Sequence, residues 1–356
     1  MAVGLPLKTT YANGDVYSAS DVNDTNGTIN AFVTGGQTAG KNSVINGGMD
    51  IWARGTSFTP NATIYMADRW EMYVGATGTT VTRQATSDTT NLPFIQYCMR
   101  VSRDSGNTGT NIRYLYQPME TVNSIPLAGK AVTFSFYARK GATFAGSVVA
   151  KAGTGTGTDQ NPLVVYTGAA TPVSGTPTLT TTWQRFTYTG TFAATATEVY
   201  VGFEWTPSGT AGATDYFEVT GVQLEVGSTA TPFSRAGATI QGELAACQRY
   251  YFRTGGSNLY QYIGPGAAVS TTEARALVNN PVTMRVAPTS IDFSTLALYN
   301  LGGGVITAAT TITFAASAPT INALIVNVAS GLTTQQPLFL ITNNSSNGFL
   351  ALNAEL

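Results

Sequence analysis

The sequence predicts an all-β protein: a jelly-roll-like β-sandwich, then a linking helix and a second β-sandwich, with a short N-terminal segment in front. Three observations carry this. The 356 residues include 57 Thr, 38 Gly, 17 Tyr and 16 Phe. Thr and aromatic residues suit the pleated surface of strands, and Gly with Asn and Pro supplies turns. Short runs alternate apolar and polar residues between turn clusters, which is the period of a half-buried strand. Only one segment between the two large regions carries a helical apolar stripe.

The elements follow in chain order. Residues 1–41 are polar and rich in small side chains. Ser18-Ala19-Ser20-Asp21 can cap a short helix, and Leu5, Tyr11, Val16, Val22, Ile29 and Phe32 are the apolar contacts available. So little apolar surface calls for a partner surface, so the segment reads as an anchor. MAVGLPLKTTYANGD lacks a signal-peptide core, which gives an expectation of cytosolic synthesis without general export.

Residues 42–235 form the expected sandwich of about eight strands. Val132, Phe134, Phe136 and Ala138 share one face of their run; so do Val199, Val201, Phe203 and Trp205. Trp183 to Tyr188, Phe217 to Val219 and Val222 to Leu224 continue the pattern. Ala152 to Thr182 holds a single charge, Asp159, and reads as a long surface excursion with a short strand at Leu163 to Tyr166. Residues 236–253 form the linking helix, with Ile240, Leu244, Cys247 and Tyr251 as its buried stripe.

Residues 254–356 form the C-terminal β-rich domain. From Phe293 to Ala354 no residue is charged, although apolar alternation persists. Isolated sheets normally carry edge charges against self-pairing, so this stretch predicts burial against copies of itself. The expectation is a homo-oligomer, with three copies as the expected number.

Composition removes several functions. Charged residues are 10% of the chain, against about 25% in an ordinary soluble protein, and the net charge is −1. That leaves no basic footprint for nucleic acid and no polybasic membrane patch. Mean hydropathy is +0.05, but no run approaches the roughly 18 apolar residues of a membrane span. Without histidine there is no Ser-His-Asp or Cys-His machinery and no imidazole metal ligand. Two cysteines, Cys98 and Cys247, make neither a disulfide framework nor a four-cysteine site.

Several motifs resemble a known family. NSVINGGMDIWARGTSF followed by YMADRWEMY resembles the opening of carbohydrate-binding-module-like sandwich domains in structural proteins of tailed bacteriophages. VTFSFYARK, TWQRFTYTGTF and VTGVQLEVGSTATPFSR are similar to later strands of that domain, in the same order. GELAACQRYYFR resembles the helix that follows it, and PVTMRVAPT and FLALNAEL the end of the C-terminal domain. LPLKTTYANGDVYSASDVNDTN is similar to the start of phage fibre proteins. The resemblance implies a non-enzymatic virion fibre or appendage, usually trimeric, whose first segment docks to other virion proteins. A tail fibre attaching to host surface glycan is the first expectation and a head fibre or capsid decoration protein the second. A glycan depolymerase and a secreted adhesin stand behind them.

Candidate chemistry is sparse. Trp52 and Trp70 each lie next to or near an arginine (Arg54, Arg69) and a carboxylate (Asp50, Asp68). This suits a sugar platform, or structural packing of Arg on Trp; its position at the domain's opening favours packing. Tyr73, Tyr137 and Tyr200 are further glycan-binding candidates, with Tyr65, Trp183 and Trp205. Tyr137 and Tyr200 alternate with apolar neighbours and so face outward, whereas Trp205 shares the face of Phe203. Hydrolysis of a glycan needs paired carboxylates; Glu204 and Glu218 are expected to point to solvent. The resemblance implies that a structural calcium ion is the one cofactor to consider, with Asp215 and Glu225 as its candidate ligands. The Gly-rich tracts at Gly153 to Gly157 and Gly302 to Gly304 lack the Gly-Lys-Ser/Thr ending of a phosphate loop and read as turns.

Overall fold

A computed structural model describes residues 40–356 apart from 76, 301, 303 and 305. The segment expected to be an N-terminal anchor, with Leu5, Tyr11, Val16, Val22, Ile29 and Phe32, lies outside the described residues. Nearly all of the regular secondary structure in the rest is strand. Two six-stranded antiparallel sheets form the sandwich. The first runs β1 (Ser57–Phe58), β4 (Thr79–Ala85), β5 (Tyr97–Arg103), β12 (Tyr216–Val226), β7 (Ala131–Lys140), β10 (Gln184–Thr191). The second runs β2 (Ile64–Tyr65), β3 (Glu71–Val74), β6 (Arg113–Met119), β11 (Glu198–Pro207), β8 (Gly146–Gly155), β9 (Ala170–Gly175).

Alternation explains the core. Val132, Phe134, Phe136 and Ala138 of β7 and Val199, Val201, Phe203 and Trp205 of β11 are all buried. The rings of Phe136 and Phe203 meet edge to face at 4.8 Å across the two sheets. In β12 the phase slips: Phe217 and Val219 face inward, then Val222 and Leu224. A bulge between Thr220 and Gln223 makes this possible. Gly221 turns the chain there with φ +56°, and a Cβ would come within 2.8 Å of the Tyr137 ring.

Two local expectations are corrected. Leu163 to Tyr166 is a turn, not a strand. Asn161 holds it, accepting from Leu163 N through its side chain and from Val164 and Val165 N through its carbonyl. The excursion's strand is β9. The linking helix, α1 (Ile240–Gln248), is capped by Thr239, whose hydroxyl accepts from Gly242 N at 3.1 Å. Its predicted stripe is met only in part: Cys247 is buried as expected, but Ile240 and Leu244 are 45% and 41% exposed and Glu243 is buried in their place. Glu243 turns inward because its carboxylate accepts from two backbone donors, Asn46 N and Gly237 N. Tyr251 lies beyond the helix, in β13 (Tyr251–Gly255).

The C-terminal strands, expected as a second sandwich, are a three-stranded sheet beside a closed six-stranded barrel. The sheet is β13, β21 (Phe349–Asn353), β16 (Ser290–Ser294). The barrel runs β14 (Tyr262–Ala268), β15 (Glu273–Asn279), β19 (Ile321–Val328), β18 (Ile306–Ser317), β17 (Leu296–Asn300), β20 (Pro337–Thr342), and back to β14. Ala274, Ala276, Leu298, Leu324, Val326, Leu338 and Leu340 fill it. Closure removes strand edges. The absence of edge charges from Phe293 to Ala354 therefore has an explanation within one chain.

Arginines tie the barrel region to the sandwich. Glu355 pairs with both Arg54 and Arg69. Arg54 stacks on the Tyr251 ring and Arg69 on the Tyr250 ring, each 3.6 Å from the centroid. Arg249 grips Glu120 with two 2.8 Å bonds, and Arg285, held by the carbonyls of Ala354 and Glu355, reaches Asp159 of the sandwich at 3.1 Å.

Candidate functional site

The two tryptophans of the opening motifs are structural. Trp52 and Trp70 are 7% and 0% exposed, and their indole N–H groups donate to the carbonyls of Met49 and Asn46. Neither offers a sugar an open face. Their neighbouring arginines stack on Tyr250 and Tyr251 at the junction, not on Trp. Asp68 accepts from Ala53 N and faces Arg54 at 3.6 Å; Asp50 pairs with Arg235. Trp183 and Trp205 are buried as well.

The outer face of the first sheet is roofed. Leu92, Ile95, Cys98 and Trp183 form a cluster over it, with Tyr137 and Phe233 packed alongside. Tyr137 is therefore half-buried, not an open platform. Glu218, expected in solvent, is fully buried between Arg100 and Arg139. Alternation placed it on the correct face, but a second layer covers that face.

The outer face of the second sheet is different. There, by alternation, lie Glu71 and Tyr73 of β3, Tyr114 and Tyr116 of β6, Tyr200 and Glu204 of β11, and Lys151 of β8. Tyr73, Tyr114, Tyr116, Tyr200 and Tyr166 form a row, with successive ring centroids 6.1, 5.9, 4.7 and 5.5 Å apart. Glycines let the rings lie down: a Cβ on Gly153 would come within 2.2 Å of the Tyr200 ring, and one on Gly202 within 2.1 Å of the Tyr116 ring. Gly153 is thus a strand residue under a ring, not a turn. Tyr73 is 41% exposed at the open end. Tyr200, predicted as outward-facing, is only 8% exposed because Tyr116 and Tyr166 cover it.

Glu204 is the row's charged partner. Its Oε1 accepts from the Tyr116 hydroxyl and from Lys151 Nζ at 2.7 Å. Burial and the Glu204 hydrogen bond push the Tyr116 phenol well above its usual range, so it stays a donor. Glu71 sits on the same face, paired across strands with Tyr116, but is fully buried beneath Asn161. Desolvation pushes its carboxyl up to about 7. Tyr114, Tyr116 and Tyr166 were not among the predicted site residues. The alternating RYLYQ of β6 carried the signal for the first two.

The two calcium candidates are far apart. Asp215 precedes β12 and Glu225 ends it, a separation of about 30 Å at ~3.3 Å per residue. Asp215 is fully engaged by Arg103 at 2.6 Å and by Ala145 N. Arg103 also donates to the carbonyls of Gly109, Ser208 and Gly209. The carboxylate and carbonyls that would suit a hard cation are filled by a guanidinium. Glu225 accepts from Gln223, Thr231 N and the Thr231 hydroxyl. Among the described residues no three His, Cys, Asp or Glu side chains gather as a metal site. Cys98 and Cys247 are free, buried thiols pushed up by desolvation.

No protein-family model matches the chain, and no curated protein does. Solved structures do show similarity. A CBM4 carbohydrate-binding module is 18% identical over 51% of this chain and 98% of its own, with a TM-score of 0.31. A putative sugar-binding protein from Bacteroides thetaiotaomicron is 14% identical over 52% and 100%, at 0.34. A tailspike protein 4 enzymatically active domain of bacteriophage CBA120 is 11% identical over 52% and 21%, at 0.31. At these identities and TM-scores the likeness says nothing of what this chain binds.

Proposed function

We propose that the chain is a saccharide-binding structural protein of a bacteriophage virion, attaching to host surface glycan through the outer face of its second sandwich sheet. The observation that carries this is the accessible end of the tyrosine row, Tyr73 at 41% exposure with the half-buried Tyr114 beside it, held in place by the buried Tyr116 and Tyr200. A pyranose stacks its C–H face on such rings, and Glu204 with Lys151 offers a carboxylate and an ammonium to hydroxyl groups beside them. The phage setting rests on the sequence motifs. A tail fibre is the first reading, a head fibre or capsid decoration the second. Self-association, as a trimer, belongs to the same proposal, because repeated weak sites on one particle raise avidity by effective concentration. Solution mass by light scattering and labelling of particles test those parts.

The binding test uses the purified chain and glycans extracted from a host surface. Tyr73→Ala and Tyr114→Ala are expected to weaken binding about tenfold each, the scale of one lost stacking contact. Binding unchanged in both variants sinks the reading. Depolymerase activity remains a weaker alternative: Glu204 is held by two donors, and the other carboxyls of the face, Glu71 and Glu198, are buried, Glu198 accepting from Gly157 N and Gln160 N. Release of reducing ends that Glu204→Gln abolishes would favour it.

A further inference from the structure

We propose that the barrel carries a second binding site, for an uncharged saccharide, on its outer wall at β14, β20 and β17. The site is built from Tyr262, Phe339 and Tyr299. Tyr299 and Phe339 are cross-strand partners and form a floor. The Tyr262 ring stands against it as a wall, at 83° to Phe339 with centroids 5.0 Å apart and at 88° to Tyr299 with centroids 6.3 Å apart. The floor offers ring faces and the wall offers a third ring at a right angle. A pyranose has both an apolar C–H face and an edge to seat there.

Two further observations point the same way. Tyr262 is 57% exposed, and Leu259 and Tyr260 beside it are 55% and 41% exposed. Apolar surface of this kind marks a contact site when it is contiguous. Tyr260 also holds a left-handed backbone, φ +53°. A bulky residue in that region is strained, and strained exposed residues cluster at binding sites. Charge selects the ligand class. Tyr299 and Phe339 both lie in the stretch without a single charged residue, and β14, β17 and β20 carry none, so these strands bring rings and phenol hydroxyls to the notch and no charged side chain. An anionic or cationic ligand would lose hydration there without compensation.

The site is separate from the tyrosine row, and its test separates the two. A chain carrying Tyr73→Ala and Tyr114→Ala is mixed with maltohexaose, cellohexaose, xylohexaose or chitohexaose and followed by saturation-transfer NMR and calorimetry. At least one oligosaccharide is expected to bind this chain still, and Tyr262→Ala is expected to weaken it about tenfold. Phe339→Ala should do the same. Tyr262 is mostly exposed, so its loss leaves the barrel core intact. No binding of any of the four to the Tyr73→Ala, Tyr114→Ala chain overturns the barrel site and leaves the sandwich row standing. Binding unaffected by Tyr262→Ala and Phe339→Ala also overturns it. A fall in solution mass on Tyr262→Ala, with sugar binding unchanged, would assign the patch to a contact between copies instead.

Discussion

Glu71 offers a sharp test of the geometry of the tyrosine face. Its carboxyl has no solvent exposure and one hydrogen bond from Asn161 Nδ2 at 2.8 Å, and its Oε1 has no partner among the described residues. Desolvation outweighs both the Asn161 bond and the attraction of Arg69, raising its pKa from 4.5 to about 7. The folded chain therefore holds a proton that the unfolded chain releases. Below pH 4.5 both states are protonated and nothing is lost. Between pH 4.5 and about 7 the unfolded carboxyl ionises first, so folding stability falls as pH rises. Above that the loss is constant. At about 1.4 kcal/mol per pH unit, a gap of about two and a half units amounts to about 3 kcal/mol. Glu71→Gln keeps the shape and removes the titration. Urea unfolding from pH 4 to pH 8 should show the variant gaining up to about 3 kcal/mol on the natural chain, with the gain growing through that window. Asp68, raised to about 6 mainly by burial, titrates alike in both chains and cancels. A difference that does not change with pH refutes the reasoning, because the carboxyl would then be hydrated or paired in the folded state.

Four other outcomes are expected. Gly153→Ala should cost about 1–3 kcal/mol by overpacking against the Tyr200 ring, and Tyr200→Ala in the same chain should recover part of that; additive losses in chemical denaturation would argue against the contact. Glu355→Ala strips the shared partner from the buried Arg69 and the half-buried Arg54; a loss of about 3–5 kcal/mol is expected, read as a lower calorimetric Tm. Cys98 and Cys247 should resist thiol reagents until the chain unfolds, because both are buried with raised pKa values; rapid labelling under native conditions would contradict their placement. Tyr260→Gly should stabilise the barrel by about 1 kcal/mol, since glycine accepts a left-handed backbone at little cost, while weakening any sugar bound at Tyr262.

The sandwich was legible because its signal is local. Alternation in β7 and β11 marks the core face, and the slip from Phe217 and Val219 to Val222 and Leu224 records the bulge at Gly221. The barrel was harder. Its closure depends on pairings such as Ala267 with Pro337, seventy residues apart, and no local pattern specifies which strands meet. The absence of charge was visible; that closure, not only self-association, could account for it was not. The helix misled because Glu243 outranks Leu244 for the buried side once two orphan backbone donors need an acceptor. Tyr114 and Tyr116 were overlooked for a related reason. The inner positions of β6 include Arg113 and Gln117, buried polar residues that blur the amphipathic pattern.

The two outer faces of the sandwich explain why only one is a candidate site. Both carry residues that alternation places outside. On the first sheet the polar ones, Glu218, Thr220, Gln223 and Glu225, are each satisfied by arginines or by neighbouring loop groups. Such a face is finished: a ligand could bind only by breaking bonds already made. On the second sheet Glu204 Oε2 has no protein donor among the described residues while Oε1 takes two, and Tyr73 is 41% exposed at the end of a packed row. Rigid neighbours hold those rings before any ligand arrives, so little conformational freedom is lost on binding. Pre-organised rings beside a partly used carboxylate suit a ligand made of C–H faces and hydroxyl groups, which can stack on the one and donate to the other.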